Sequence, residues 1–352
     1  MKARIAVLPG DGIGPEVTAE AVRCLHAIAA KYGHEFEMSE ALVGAAAMEA
    51  GLGPLPEKSF RLALDSDAVL FGAIGSPRFS DPGATERPEQ AILRLRQALG
   101  LFANLRPVKP HSSLVRASPL RAELLENVDF VVVRELTGGI YFGRRQRTAD
   151  FATDECRYTV GEIERIARVA GRLALTRWRK VTSVDKANVL ETSRLWRQVV
   201  SRVMADEFPD VRLEHQLVDS AAMLLLTRAA EFDVILTENL FGDILSDEAA
   251  ALAGSLGMMP SASLGEGRRG LYEPVHGSAP DIAGRSIANP YGAIASAALL
   301  LRHSLALPAE AATLDNAVAA AIAAGMLTPD VARTEAPVVG TRAAADAVLE
   351  RL

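Results

Sequence analysis

The most constraining feature of this chain is an alternation. Short apolar runs of strand length take turns with longer segments of helical period. Ile5–Leu8, Ala68–Phe71, Phe130–Val133, Val181–Val184 and Val234–Leu236 read as buried strands. Pro15–Tyr32, Glu89–Leu99, Gly161–Leu175, Glu191–Phe208, Ser220–Ala230 and Asp243–Leu256 read as helices, followed by the Ala-rich Ala309–Ala324 and Thr341–Arg351. Continuous apolar strands separated by helices are what a largely parallel sheet with helices on its faces requires, so the fold class is α/β. Pro15 sits at a first helical position, Pro119 does the same for a helix from Ser118 through Asn127, and Gly325 stops a helix. At 352 residues the chain is one large or two ordinary domains. It contains no repeat and no long Ser/Gly linker, so two domains must share a tight interface or interleave in sequence. With 49% hydrophobic but only 5% aromatic residues, the core is expected to be built of aliphatic layers.

Several function classes are disfavoured at this level. The formal charge of -6 leaves no footprint for binding a polyanion. The basic stretch Arg165, Arg168, Arg172, Arg177, Arg179, Lys180 fits a solvated helix face and the loop after it. Cys24 and Cys156 form no CxxC pair, which speaks against a zinc site or disulfide scaffold and suits a reducing cytoplasm. The apolar run at the start is too short for a signal peptide, and Ala293–Leu301 is too short to cross a bilayer.

Five stretches carry chemistry. Gly10-Asp11-Gly12-Ile13-Gly14-Pro15-Glu16 follows a strand and opens a helix. Its glycines run G-x-G-x-G, which is not the spacing of the dinucleotide fingerprint. Arg96, Arg106 and Arg134 are candidates for binding a small di- or tricarboxylate, since guanidinium groups meet carboxylates bidentately. Each alone also fits a structural role. Arg134 ends an apolar strand, where a cation is costly unless it meets an anion, and the glycine-rich turn after it presents Tyr141 as a proton donor. Asp243 and Asp247, at i and i+4, share a helix face and suit Mg²⁺ or Mn²⁺, with Asp219 as a further carboxylate; helix capping is the competing explanation. Lys186, past the strand at 181–184, is a candidate general base. The fifth stretch, Glu273–Gly284 followed by Ala288-Asn289-Pro290, is a small, polar, turn-rich loop that could wrap a nucleotide.

Together these strings resemble the β-decarboxylating dehydrogenases, the isocitrate/isopropylmalate dehydrogenase family. The resemblance runs from Gly10 to about Leu301. It rests on GDGIGPE (10–16), LFANLRP (101–107), RELTGGIYFG (134–143), SVDKANVL (183–190), FGDILSD (241–247) and EPVHGSAPDIAG (273–284). It implies a two-domain fold with a mixed sheet covered by helices, distinct from the Rossmann fold. Residues 1–101 plus 256–352 would form a discontinuous cofactor domain, and 102–255 the dimerisation and substrate/metal domain. A cytoplasmic homodimer is implied, with active sites between domains that borrow residues from the partner subunit.

The resemblance also assigns roles. Arg96, Arg106 and Arg134 would hold substrate carboxylates. Asp243, Asp247 and the partner subunit's Asp219 would hold Mg²⁺ or Mn²⁺. The partner subunit's Lys186 would take the hydroxyl proton, and Tyr141 would protonate the enol carbon after decarboxylation. Asn188 and Val189 would contact the cofactor amide region and the substrate tail. Ile13, Glu89, Glu273, His276, Gly277, Ser278, Ala279, Asp281, Ile282 and Asn289 complete the implied cofactor set. Asp281 would accept from the ribose hydroxyls and repel a 2′-phosphate. NADP-using relatives carry Lys and Tyr at Asp281 and Ile282, so NAD is expected. Ile92 and Leu93 offer an apolar wall suited to an isopropyl group, so 3-isopropylmalate is the expected substrate, feeding leucine synthesis. Ala91 departs from the usual Gly, and Tyr291-Gly292 is atypical. Alternatives are a paralogue for another 3-alkylmalate, tartrate or malate, and a non-catalytic subunit of the same fold.

Overall fold

The computed structural model describes residues 1–81, 83–332 and 337–352. Strands follow in chain order as β1 (Lys2–Gly10), β2 (Glu35–Glu40), β3 (Ala68–Ala73), β4 (Ala103–Val108), β5 (Phe130–Glu135), β6 (Arg145–Arg147), β7 (Ala152–Asp154), β8 (Lys180–Asp185), β9 (Arg212–Leu217), β10 (Val234–Thr237), β11 (Pro260–Leu264) and β12 (Gly270–Pro274). Helices are α1 (Gly14–Tyr32), α2 (Ala45–Glu49), α3 (Glu57–Asp65), α4 (Gln90–Ala98), α5 (Val160–Leu175), α6 (Glu191–Glu207), α7 (Val218–Thr227), α8 (Asn239–Ala253), α9 (Tyr291–His303), α10 (Pro308–Ala323) and α11 (Thr341–Leu349).

The chain divides into two compact units. The first comprises 1–101, 111–117 and 254–352, and the second 102–110 and 118–253. In the first, strands lie in the order β2-β1-β3-β12-β11, parallel except for the antiparallel pair β11/β12. In the second the order is β4-β5-β10-β8-β9, parallel except for β4/β5. Each unit is thus a mixed sheet covered by helices, and neither has the strand order of the dinucleotide-binding doubly wound sheet. β1, β3 and β5 are buried along almost their whole length, as strands covered on both faces must be. Each fully buried Leu or Ile there contributes roughly 1.5–3 kcal/mol.

Local signals account for most helix ends. α1 carries Pro15 in its first turn and stops at Gly33, which is left-handed at φ 70. α5 begins with a capping box between Thr159 and Glu162. The helix expected from Ser118 through Asn127 does not form; only Ala122–Leu124 makes a 3-10 turn there. Ser118 donates its hydroxyl to Ala251 O at 2.8 Å, and Asn127 turns left-handed at φ 59. Of the apolar residues between them only Leu125 is buried, so no helix face exists to be packed. The apolar segment Ala293–Leu301 lies within α9 and is buried, and no helix among the described residues is long and apolar enough to cross a membrane. Tyr291 is fully buried in the first unit's core. Cys24 and Cys156 are free thiols.

The basic stretch is only partly a solvated face. Arg168 pairs with Glu164 and Glu207, but Arg177 reaches inward to Asp233 at 2.7 Å and Asp129 at 2.8 Å. Its guanidinium ties the start of β5 to that of β10, where buried Asp233 would otherwise be an uncompensated charge.

Candidate active site

In the second unit the charged site is built on β4, β5 and α8. Pairing of β4 with β5 sets Asn104 opposite Arg134 and Arg106 opposite Val132. Arg134, only 4% exposed, points its guanidinium at the first turns of α8. Its Nε and Nη2 donate to Asn239 Oδ1 at 2.9 and 2.8 Å, and its Nη1 donates to Asp243. Arg106 donates to Asn104 Oδ1 at 2.9 Å, Ser246 Oγ at 2.6 Å and Asp247 Oδ1 at 2.9 Å, and lies 3.6 Å from Asp243. Asn239, Asp243 and Asp247 recur every four residues, so one face of α8 offers partners to both arginines. Close approach requires Gly242: a Cβ there would come within 2.7 Å of Arg134 Cγ.

Electrostatics follow from this packing. Burial opposes ionisation of Asp243, but Arg134, Arg106 and the Tyr141 hydroxyl outweigh it and hold its pKa below the usual carboxylate range. Tyr141 donates to Asp243 Oδ2 at 2.9 Å. Burial and the neighbouring Asp243 carboxylate push its pKa up to about 12, so at neutral pH it keeps its proton and acts as a donor.

A second group sits at the ends of β8 and β9. Their parallel pairing sets Asp185 beside Leu217, which brings Lys186 and Asp219 together; Lys186 Nζ donates to Asp219 Oδ1 at 2.7 Å. The backbone of Lys186 donates to Ser193 Oγ at 3.0 Å. Asp185, locked by Arg197 at 2.9 and 2.8 Å, accepts from Ala187 N–H. The lysine thus stands on a fixed turn while its side chain faces outward with Asn188 and Val189, both exposed. Within one chain Asp219 pairs with Lys186 rather than joining Asp243 and Asp247. Among the described residues no three His, Cys, Asp or Glu groups of one chain converge to hold a metal. Asp243 and Asp247 offer carboxylate oxygens on adjacent turns, a donor type that fits Mg²⁺ or Mn²⁺ and that one further carboxylate would complete.

The first unit gathers the implied cofactor residues. Gly12 is left-handed at φ 58, and a Cβ there would strike Ser278 O at 1.9 Å. Ile13 N–H donates to that same carbonyl at 2.8 Å, so the 10–16 turn and the 273–284 loop are sewn together. Asp11, within the 10–16 turn, is buried and accepts from Ala45 and Ala46 N–H at the head of α2 and from Gly75 N–H. A Cβ on Gly75 would lie 3.3 Å from Glu89 Oε1 and 3.7 Å from Ser278 Oγ, which places Glu89 at this loop. Glu273 pairs with Arg96 at 2.8 Å. His276 donates its Nδ1–H to Gly277 O at 2.9 Å, while its buried Nε2 has no partner. Burial lowers its pKa, so the ring is neutral and the orphaned nitrogen fits a polar group of a bound nucleotide. Asp281 is exposed and Ile282 and Ala279 partly so, whereas Asn289 is buried and braces α9 through Asp330 and Tyr291 N–H, both at 3.0 Å.

Residues 4–348 match the isocitrate/isopropylmalate dehydrogenase family. The chain belongs to that family. It is 53% identical over 358 aligned positions to the 3-isopropylmalate dehydrogenase of Anaeromyxobacter dehalogenans, covering 100% of both chains. It is 55% identical to that of Geobacillus kaustophilus, covering 96% of this chain and 92% of the relative. Among solved structures, isocitrate dehydrogenase from Methylococcus capsulatus superposes with a TM-score of 0.88 at 35% identity, covering 99% of each chain. A β-decarboxylating dehydrogenase from Thermococcus kodakarensis gives 0.80 at 40% identity, covering 99% and 96%. The protein is therefore a β-decarboxylating dehydrogenase.

Within this dehydrogenase α4 has two faces. Ala91, Ile92 and Leu95 are buried, and Ile92 at 7% exposure packs with Leu8, Val43, Phe71 and Leu271 in the first unit's core. Leu93 is turned outward at 39% exposure, while Arg96, one turn after Ile92, is half-buried. The helix turns Ile92 and Leu93, the two residues expected to form an apolar wall, about 100° apart.

Proposed function

We propose that this enzyme oxidises and decarboxylates 3-isopropylmalate to 4-methyl-2-oxopentanoate in leucine synthesis, using NAD and Mg²⁺ or Mn²⁺ as a cytoplasmic homodimer. The observation that carries the reading is the cluster in which Arg106 and Arg134 meet Asp243, Asp247 and protonated Tyr141. It combines cations for carboxylates, oxygens for a divalent ion and a proton donor at one place. Likeness to 3-isopropylmalate dehydrogenases at 51–55% identity, against 35% for the isocitrate enzyme, supports the substrate.

In this reading Arg96, Arg106 and Arg134 bind and orient the substrate carboxylates, exchanging their present carboxylate partners for those of the diacid. The partner subunit's Lys186 takes the proton of the C2 hydroxyl. Asp243, Asp247 and the partner subunit's Asp219 would hold the divalent ion, which would supply Lewis-acid stabilisation of the charge left by decarboxylation, and the 273–284 loop would hold NAD, which would supply the hydride acceptor. Tyr141, held at Asp243, then delivers its proton to the carbon that lost carbon dioxide. Leu93 and the partner subunit's Val189 offer apolar surface to the isopropyl tail. Exposed Met223, Leu226 and Ile244 on α7 and α8, helices that pack on one another, suit the subunit contact.

The test is turnover. With Mn²⁺ and either NAD or NADP, reduced-cofactor absorbance is followed on isopropylmalate, isocitrate, homoisocitrate, malate and tartrate. Isopropylmalate with NAD is expected to give the highest kcat/KM; a clear preference for another acid refutes the substrate. In the same assay Asp281→Lys is expected to lower kcat/KM for NAD by about tenfold or more and to raise it for NADP, since the exposed carboxylate meets the ribose 2′-position. An unchanged preference refutes that role.

A further inference from the structure

The side chain of Asn239 joins two pieces of catalytic machinery that reach α8 from different elements. It is 1% exposed at the first residue of α8. Its Oδ1 accepts from Arg134 Nε at 2.9 Å and Nη2 at 2.8 Å, while its Nδ2 donates to Gly138 O at 3.2 Å. The two neighbours dictate the orientation of the amide, because a guanidinium only donates and a carbonyl only accepts. Neither a carboxylate nor an apolar side chain of this size serves both.

Gly138 opens the turn that carries Tyr141. Its peptide is held from both sides, with N–H donating to buried Glu135 Oε2 at 2.7 Å and C=O accepting from Asn239. The backbone N–H of Asn239 is itself fixed on Tyr158 Oη at 3.0 Å. Tyr141 and Arg134 then converge on the two oxygens of one carboxylate, Asp243. We propose that Asn239 is a positioning residue: its amide sets the Tyr141 turn relative to the Arg134 guanidinium, so that carboxylate recognition and protonation act on the same molecule. This rests on the roles given above to Arg134 and Tyr141.

The split between KM and kcat tests it. Asn239→Asp keeps an acceptor for Arg134 but removes the donor to Gly138 O, leaving two oxygens facing each other. On the metal-loaded dimer with NAD it is expected to lower kcat about 30-fold while KM stays within about threefold, because a displacement of about 1 Å at a reacting group costs up to a hundredfold in rate. Asn239→Leu removes all three side-chain bonds, so kcat falls similarly and KM rises about tenfold as Arg134 loses its brace. A merely structural residue would lower Tm and leave kcat and KM of the folded dimer unchanged. That result overturns the proposal, as does a kcat for Asn239→Asp within threefold of wild type or a loss confined to KM. If Asn239→Leu does not fold, Asn239→Asp decides alone. If the wild-type enzyme prefers another 2-hydroxy diacid, the substrate reading fails and the same split is measured on that acid, which still decides for or against Asn239.

Discussion

Lys186→Met is expected to lower kcat on isopropylmalate by about a thousandfold, within the range set by losing a positioned general base. The effect should fall on kcat far more than on KM, because the ammonium donates to Asp219 and takes no part in holding the arginines. Stability should change little. Lys186 Nζ lies at the surface end of β8, and a partly exposed pair with Asp219 contributes about 0–1 kcal/mol. Metal binding, followed by Mn²⁺ electron paramagnetic resonance, should persist because Asp219, Asp243 and Asp247 are untouched. Retention of near-full activity would mean that another group removes the hydroxyl proton. A loss of metal binding would instead mean that the lysine supports Asp219 rather than the chemistry.

Mixing two inactive homodimers is expected to restore activity. If each site takes Tyr141 from one subunit and Lys186 from the other, a hybrid of Lys186→Met and Tyr141→Phe subunits contains one site with both residues intact and one with neither. After denaturation and refolding of an equal mixture, half of the dimers are hybrids, so about a quarter of wild-type activity returns. If instead one subunit supplies both residues, every site lacks one and the mixture stays inactive. This outcome speaks directly to the geometry of a single chain, where Lys186 pairs with Asp219 and Tyr141 pairs with Asp243. Size-exclusion chromatography of the hybrid checks that the dimer itself is intact.

Strand content was legible wherever both faces are buried. β1, β3, β5, β8 and β10 announce themselves as largely apolar runs because strands covered on both faces favour apolar residues, the buried polar ones such as Arg134, Ser183 and Asp185 being held by hydrogen bonds. β2 and β9 were not legible. As edge strands they carry Glu35, Glu37, Glu40, Arg212 and Glu214, and half-solvated strands of mixed polarity look like loops. β4 was hidden for a different reason. Asn104, Arg106 and Pro107 interrupt it, and only the antiparallel pairing with β5 and the carboxylates of α8 make those residues tolerable there.

The order of strands and helices, the carboxylates spaced on a helix and the family itself could be read from the residues in line. Periodicity and local motifs are properties of neighbours in the chain. Which groups neutralise one another could not be so read. Arg134 and Asp243 are more than a hundred positions apart, as are Asn239 and Gly138, and their meeting depends on register and on a glycine that lets a helix approach a side chain. The same holds for α4, where Ile92 and Leu93 stand next to each other in sequence, one sealed in the core and one facing out. Hydrophobicity alone does not separate them; the helix axis and the sheet beneath it do.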